Sequence, residues 1–333
     1  MGTTERFYDP DVARRETEDD GFSQGWGFHM LPSERYWVDS HCHFNAPTAD
    51  EGREAITRWF ERLTAWRLGQ FVGIGATPTT IATFAELGRD PRLIWLLQLR
   101  HDNPDLAACR KALDLGAGGL KLHNAPIITT AADYHVWENE AWAAVFAELD
   151  RRQKVVLWHV TQRMTASAYN GGGLQAYWGE GRKRGVSFTN EDLLQAHLRL
   201  VRAYPHIPFI GAHQHYLGLE RLDSLLRDYP NLYIDTSVGG IVRWGDELYP
   251  EDRERWADFV VRHADRILFG TDSGVGSTGT LFEVNVQAFL NHARFVHQLH
   301  LPDTVLQKVA WANAARLYGR EELPSARRSS VRP

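Results

Sequence analysis

Three features are scarce in this chain of 333 residues, and each scarcity excludes a class of protein. Cysteine occurs only at Cys42 and Cys109, so no disulfide framework holds the fold together, and we expect a reducing, cytoplasmic compartment. The 37 basic residues against 42 acidic ones give no excess of positive charge for nucleic-acid binding. No apolar run approaches the roughly 20 residues of a membrane span, and the charged N-terminus lacks the apolar core of a secretory signal. We therefore expect neither a nucleic-acid nor a membrane partner.

Short runs rich in Val, Ile, Leu and Phe alternate with longer helical patterns through most of the chain. Eight strands are predicted, at 36–40, 70–75, 93–99, 119–122, 155–159, 208–212, 231–235 and 266–270. Each is followed by a helical pattern, which is typical of a (β/α)8 TIM barrel. An open doubly wound sheet alternates similarly, but the count of eight favours the barrel, and no dinucleotide or phosphate-loop motif occurs. The barrel is predicted over 36–319, between an N-terminal extension, 1–35, and a disordered tail, 320–333.

Polar side chains stand at the ends of several of these strands. His41 and His43 are two residues apart, so they face the same side of an extended strand and could share a divalent ion. Alone, such a pair is more often two ordinary histidines at a strand end. However, His159, His213 and Asp272 also end predicted strands. In a barrel all of these ends meet on one face, which predicts a metal site there.

Beyond this pattern, the chain resembles the amidohydrolase superfamily, and in particular its amidohydrolase-related branch. The resemblance is carried by the segments VDSHCHF, GGLKLH, GAHQHY, RILFGTDSG and VAWANAARLYG, and it covers roughly residues 36 to 319. It implies a metal-dependent barrel enzyme. The implied ligands of one ion are His41, His43, His159 and Asp272, with Asp272 and His213 also serving as catalytic groups.

The number and identity of the ions stay open at this stage. Imidazole and carboxylate ligands favour Zn²⁺, and Mn²⁺ or Fe²⁺ fit as well. In two-ion relatives a carboxylated lysine on the fourth strand bridges the ions, and Lys121 occupies that place here. One ion is favoured because the resembling branch mostly uses one. In that case Lys121 is a charged catalytic residue beside the substrate.

Loops after the strands supply the predicted substrate contacts. The stretch from 161 to 189 has no clear helical pattern and is predicted to be a lid that carries Arg163 and Trp178. Arg243 follows the seventh strand, and arginine suits a carboxylate-bearing substrate. His215 would share the face of His213 if the sixth strand continued, although a hydrogen-bonded wall residue is the plainer interpretation.

The function predicted from the sequence is hydrolysis of a carbon–nitrogen or carbon–oxygen bond, in an amide, lactone or cyclic ester of a small molecule. The alternative is non-oxidative decarboxylation of a small unsaturated or aromatic acid, and a hydratase or carbon–carbon hydrolase is a third option. A non-catalytic metal-binding or scaffold protein is disfavoured because the ligand set is intact. A homo-oligomer is compatible with the sequence, which does not fix the oligomeric state.

Overall fold

In the part of the chain that the structure describes, nine parallel strands form one curled sheet. The computed structural model describes residues 37–162, 176–237 and 250–320. Arg163, Arg243, the predicted extension and the tail beyond Arg320 lie outside these ranges. The strands are β1 Trp37–His43, β2 Leu68–Ala76, β3 Leu93–Gln98, β4 Gly119–His123, β5 Val155–His159, β6 Phe209–Gly211, β7 Leu232–Asp235, β8 Ile267–Leu268 and β9 Ser273–Gly274. Their order in the sheet follows the chain from β1 to β8, with β9 on the other side of β1.

The sheet closes through the segment that contains β8 and β9. Ile267 and Leu268 pair with β7, whereas Ser273 and Gly274, a few residues later, pair with β1. Between them the Ser40 N–H donates to the carbonyl of Phe269 over 2.8 Å. One continuous segment thus joins the first and seventh strands, and the predicted TIM barrel is confirmed.

Helices separate consecutive strands and cover the outside of the sheet. They are α1 Ala49–Leu63, α2 Ile81–Leu87, α3 Leu106–Asp114, α4 Ala125–Thr130, α5 Glu140–Arg152, α6 Ala176–Lys183, α7 Asn190–Ala203, α8 Leu219–Asp228, α9 Pro250–Arg262, α10 Gly279–Gln298, α11 Asp303–Gln307 and α12 Asn313–Tyr318. A π-helical turn, Lys308–Ala312, joins the last two. Helix α6 lies within the predicted lid, so the expectation of a stretch without a helix is wrong for that part. No helix of the described ranges is long and apolar enough to cross a membrane.

Alternation along the strands divides the apolar side chains between two layers. In β5, Val155 and Leu157 belong to the cluster that fills the barrel, while Val156 and Trp158 pack toward the helices. The next residue in the inward series is His159, at the end of the strand. Packing of the alternating apolar positions therefore fixes which side each polar strand end faces.

Strand β1 departs from this alternation by one residue. Asp39 pairs with Phe71 and Cys42 with Gly73, so three steps on β1 match two on β2. This bulge lets Val38 and His41, three positions apart, both face inward. Cys42 packs in the outer layer.

Candidate metal centre

Three side chains from distant parts of the chain converge at the carboxyl ends of the strands. His41, His213 and Asp272 each offer a ligand atom, and these atoms all lie within 4.8 Å of one another. The Nε2 atom of His41 is 3.2 Å from Oδ1 of Asp272, and Nε2 of His213 is 3.9 Å from Oδ2 of the same carboxylate. Two imidazoles and one carboxylate in this arrangement are a donor set that suits a divalent ion.

Left-handed backbone places two of the three groups. The strand β6 ends at Gly211, and the four residues His213–Tyr216 then follow with φ between 50° and 58°. Asp272 has φ 61°, in the gap between β8 and β9. Side chains other than glycine rarely adopt this region, at a cost on the order of 1–3 kcal/mol each. Strained backbone of this kind is typical of functional sites, where surrounding contacts hold it.

The buried carboxylate of Asp235, at the end of β7, fixes His41 and His213 through hydrogen bonds. Oδ2 of Asp235 accepts a hydrogen bond from Nδ1 of His41 over 2.7 Å. Its Oδ1 accepts the backbone N–H of His213 at 3.0 Å and the hydroxyl of Ser237 at 2.6 Å. Because Ser237 donates to Asp235, its oxygen accepts from Nδ1 of His213, 3.1 Å away.

These contacts determine where each imidazole carries its proton. Nδ1 is a donor in both His41 and His213, so in the neutral rings Nε2 holds a lone pair. In both rings Nε2 is the nitrogen nearer to Asp272. A histidine that donates its other N–H to a carboxylate is the usual arrangement at protein metal sites.

Burial and charge set the protonation of the cluster. Burial is the largest single influence and would raise the pKa of Asp272 and of Asp235. His41 and the other neighbours together outweigh it, namely His43 and Lys121 at Asp272 and His213 and Ser237 at Asp235, and hold both pKa values below their usual range. Burial lowers the pKa of His41, so its ring is neutral near pH 7. Ionised carboxylates and a neutral imidazole are the forms that bind metal.

Lys121 lies against this cluster from β4. Its Nζ atom is 3.3 Å from Nε2 of His41 and is buried. Burial lowers the pKa of Lys121 to about 8, although Asp272 and Asp235 oppose the shift. Because this pKa is close to neutral pH, Lys121 is present in both its charged and its neutral form there. The structure places Lys121 within reach of the centre. Its favoured role as a charged residue beside a single ion stays a prediction, with the carboxylated two-ion form as the alternative.

A second buried carboxylate joins the two segments that carry His41 and Asp272. Oδ1 of Asp39 accepts the N–H of Thr271 at 3.0 Å and that of His41 at 3.2 Å. Its Oδ2 accepts the Thr271 hydroxyl at 2.5 Å. Asp39 therefore holds the backbone of His41 itself and of Thr271, the residue before Asp272.

The two other predicted ligands lie next to the cluster but outside the group of three. Nε2 of His43 is 3.0 Å from Oδ1 of Asp272, and its side chain is 55% exposed. The His159 ring is 4.3 Å from that of His213, and its Nε2 is buried without a hydrogen-bond partner among the described residues. A buried nitrogen without a partner is suited to bind a metal ion. His43 and His159 both stay predicted ligands.

Two of the predicted substrate contacts are buried in the structure. His215 would lie beside His213 only if the sixth strand continued. The strand instead ends at Gly211, and the backbone turns after it. The His215 ring instead lies 5.2 Å from that of His197 on α7 and against Gly211. Trp178 on α6 packs near Phe188 in the apolar core. The other two predicted contacts, Arg163 and Arg243, lie outside the described residues.

Sequence reasoning missed Asp235, Asp39 and Ser237. Asp235 ends its strand as His159 does, and this shared position was a signal that could have identified it. Asp39 precedes His41 by two residues, but nothing in the sequence shows that it accepts hydrogen bonds from the segment before Asp272. His41 and Asp235 are 194 residues apart, and Asp39 and Thr271 are 232 apart. These partners become neighbours only when the barrel closes.

The donor chemistry fits a divalent metal ion. Two Nε2 lone pairs and one ionised carboxylate lie within 4.8 Å of one another at the barrel end, and hydrogen bonds to Nδ1 fix the rings of His41 and His213. Nitrogen and oxygen donors of this kind suit Zn²⁺, Mn²⁺ or Fe²⁺.

Comparison with known proteins gives one family match. The family model described as amidohydrolase matches residues 38–320. No curated protein matches the chain. Among solved structures, an amidohydrolase from Burkholderia multivorans is 16% identical, with 87% of this chain and 100% of that chain covered and a TM-score of 0.54.

Two further solved structures have different stated activities. A candidate 2-pyrone-4,6-dicarboxylic acid hydrolase from Pseudomonas putida is 14% identical, covers 86% of this chain and 98% of its own, and has a TM-score of 0.56. A 2,6-dihydroxybenzoate decarboxylase from Rhizobium is 15% identical, covers 86% and 100%, and has a TM-score of 0.52. At these identities the similarity shows the shared barrel and leaves the reaction open.

Proposed function

This chain belongs to the amidohydrolase family, and from that premise we propose that it is a metal-dependent hydrolase of a small, carboxylate-bearing molecule. The bond cleaved is carbon–nitrogen or carbon–oxygen, in an amide, lactone or cyclic ester. The observation that supports this most strongly is the cluster of His41, His213 and Asp272, whose two imidazoles are held with Nε2 toward the carboxylate.

Side chains of the protein would act together with the metal ion in this reaction. A divalent ion, when bound, would supply Lewis acidity and lower the pKa of water in the site. The ionised Asp272 accepts a proton from the attacking water. Where His43 is not a ligand, its half-exposed ring, 3.0 Å away, passes that proton toward solvent. The charged form of Lys121 attracts developing negative charge on the substrate, since its ammonium group lies beside His41.

Two ligand assignments share His41 and Asp272. The first adds His43 and His159 and leaves His213 as a catalytic group. The second takes His213 as the third ligand, which the spacing of the ligand atoms supports. Metal content separates them: the variant His213→Gln loses bound metal under the second assignment and keeps it under the first. The opposite result is expected for His159→Gln.

The buried Lys121 supports a second candidate function, non-oxidative decarboxylation of a small unsaturated or aromatic acid. When carbon dioxide leaves, the carbon must take up a proton, and an ammonium group with a pKa of about 8 can donate one near neutral pH. A solved structure of similar fold is named as a decarboxylase, which makes this reaction a reasonable comparison.

The products distinguish the two reactions. Purified protein is first analysed for bound metal and then incubated with lactones, including 2-pyrone-4,6-dicarboxylate, with amides and with aromatic acids, including 2,6-dihydroxybenzoate. A hydrolase incorporates oxygen from labelled water into a new carboxylate and releases no carbon dioxide. Release of carbon dioxide without such incorporation would replace the hydrolase by the decarboxylase, and absence of stoichiometric metal would contradict both.

A further inference from the structure

His123 ends β4 beside the candidate metal cluster without belonging to it. Its ring centroid is 4.2 Å from that of His159, which in turn is 4.3 Å from that of His213. His123 is half-buried, whereas His41 and His213 are buried. Part of the His123 side chain is therefore accessible beside the cluster.

A backbone contact fixes the proton of this ring. The N–H of Ala125 donates to Nδ1 of His123 over 2.8 Å. A backbone amide N–H only donates, so Nδ1 holds a lone pair and the proton of the neutral ring is on Nε2. In the described parts of the chain no group accepts a hydrogen bond from that Nε2. His123 thus presents one N–H donor in a set direction.

The end of β4 is rigid at this position. The N–H of Asn124 donates to the carbonyl of His159 at 3.0 Å. The buried side chain of Asn124 accepts the indole N–H groups of Trp137 at 2.9 Å and of Trp158 at 3.1 Å. A donor whose support is locked in this way loses little conformational freedom when it binds a ligand.

Aromatic rings flank the row of imidazoles. Tyr177 is 42% exposed, and its ring lies 6.0 Å from that of His123. Tyr216 is half-buried and stacks on His213 at 5.3 Å, with 16° between the ring planes. Flat aromatic surfaces beside a single N–H donor favour a planar molecule with an acceptor group at its edge.

We infer that His123 is a substrate-binding residue whose Nε2–H donates to a carboxylate or carbonyl oxygen of a planar, unsaturated acid. The reacting group of that acid lies at the metal cluster, and in this respect the inference rests on the proposed function. His123 orients the molecule through a second acceptor group, away from the reacting one. The residue is neither a metal ligand nor a proton donor to the reaction.

Two substitutions separate the donor from the ring's structural contact. In His123→Asn the amide oxygen takes the place of Nδ1, so the Ala125 N–H keeps its acceptor while the distal donor is lost. In His123→Gln an amide N–H₂ reaches the region of Nε2, so a donor is kept while the Ala125 contact is lost. Metal content and thermal midpoints are measured for both variants as controls. Values unchanged from those of the natural protein show that the cluster and the fold persist.

The probes are benzoate and the three benzene dicarboxylates, whose second carboxylate samples different separations. Their dissociation constants are measured by calorimetry on metal-loaded protein. We expect at least one dicarboxylate to bind the natural protein more tightly than benzoate. The ratio of the benzoate dissociation constant to that of this dicarboxylate falls about tenfold in His123→Asn, as expected for loss of a hydrogen bond to a charged group. The ratio is largely kept in His123→Gln.

Several results would overturn the inference. One is that no dicarboxylate binds the natural protein better than benzoate. Another is that His123→Asn keeps the full advantage, and a third is that His123→Gln loses as much as His123→Asn. The proposed function fails separately, if the metal-loaded protein turns over none of the lactones, amides or acids while the dicarboxylate preference and its loss in His123→Asn persist.

Discussion

Asp235 accepts a hydrogen bond from Nδ1 of His41 over 2.7 Å, and both side chains are buried. The two residues are 194 positions apart and stand at the ends of β7 and β1. Through its other oxygen the same carboxylate holds the backbone of His213. One side chain therefore sets the orientation of two of the three candidate ligands.

The substitution Asp235→Asn tests this role. The amide cannot reproduce two acceptor oxygens, so the rings of His41 and His213 lose their fixed protonation. We expect metal affinity to fall by about 10- to 100-fold, as is typical when a carboxylate behind a ligating histidine is removed. Competition with a fluorescent chelator measures it. Asp258→Asn, an exposed change on α9, is the matched control, and equal affinities in the two variants would refute the role.

Metal binding is expected to stabilise the fold. An ion that binds the folded chain alone adds about 2.7 kcal/mol to the free energy of unfolding at 100 times its dissociation constant. Chelation should lower the thermal midpoint and abolish activity, and Zn²⁺ or Mn²⁺ should restore both. In Asp272→Asn the added ion should produce little shift, because one of the three clustered ligand atoms is replaced. An unchanged shift in that variant would remove Asp272 from the site.

His197 is expected to make the protein sensitive to acid. Burial, and then the neighbouring His215, lower the pKa of His197 well below its usual range. Below pH about 6.5 the unfolded chain binds a proton that the folded chain refuses, so stability is full above that pH and falls as the pH decreases. In His197→Leu the loss of stability between pH 8 and pH 5 should shrink by about 2 kcal/mol. Urea unfolding at the two pH values measures it.

The exposed His206, shortly after α7, provides the control for that measurement. His206→Leu leaves the buried pair of His197 and His215 intact, so its loss of stability between the two pH values should equal that of the natural protein. A similar loss in all three proteins would show that His197 takes no part in acid sensitivity.

Gly119 is required where β4 and β5 lie side by side. A Cβ atom at this position would lie 1.9 Å from the carbonyl oxygen of Val155, which is backbone and cannot move aside cheaply. We expect Gly119→Ala to lower the free energy of unfolding by about 1–3 kcal/mol or more. Gly179→Ala on α6 is the comparison, because outside its own helix no atom of the described residues lies within 4 Å of the added Cβ and alanine favours a helix. Equal effects would contradict the steric explanation.

The sequence by itself determined the barrel and most of the strand ends. Alternation of apolar residues with period two, interrupted by helical patterns, places β5 at the observed residues, Val155–His159. The same reasoning brought His41, His213 and Asp272 to one face, because parallel strands of a barrel end together. The start of α7 is equally local, since Thr189 and Asp192, three residues apart, form a capping box there.

Tertiary structure alone decided how these groups are oriented. The bulge in β1 and the left-handed residues after β6 break the regular alternation, and so His215 faces His197 and does not follow His213. The protons of His41 and His213 are fixed by Asp235, which no local pattern connects to either of them. Strand periodicity is a local property of the backbone, whereas these hydrogen bonds join residues that become neighbours only when the barrel closes.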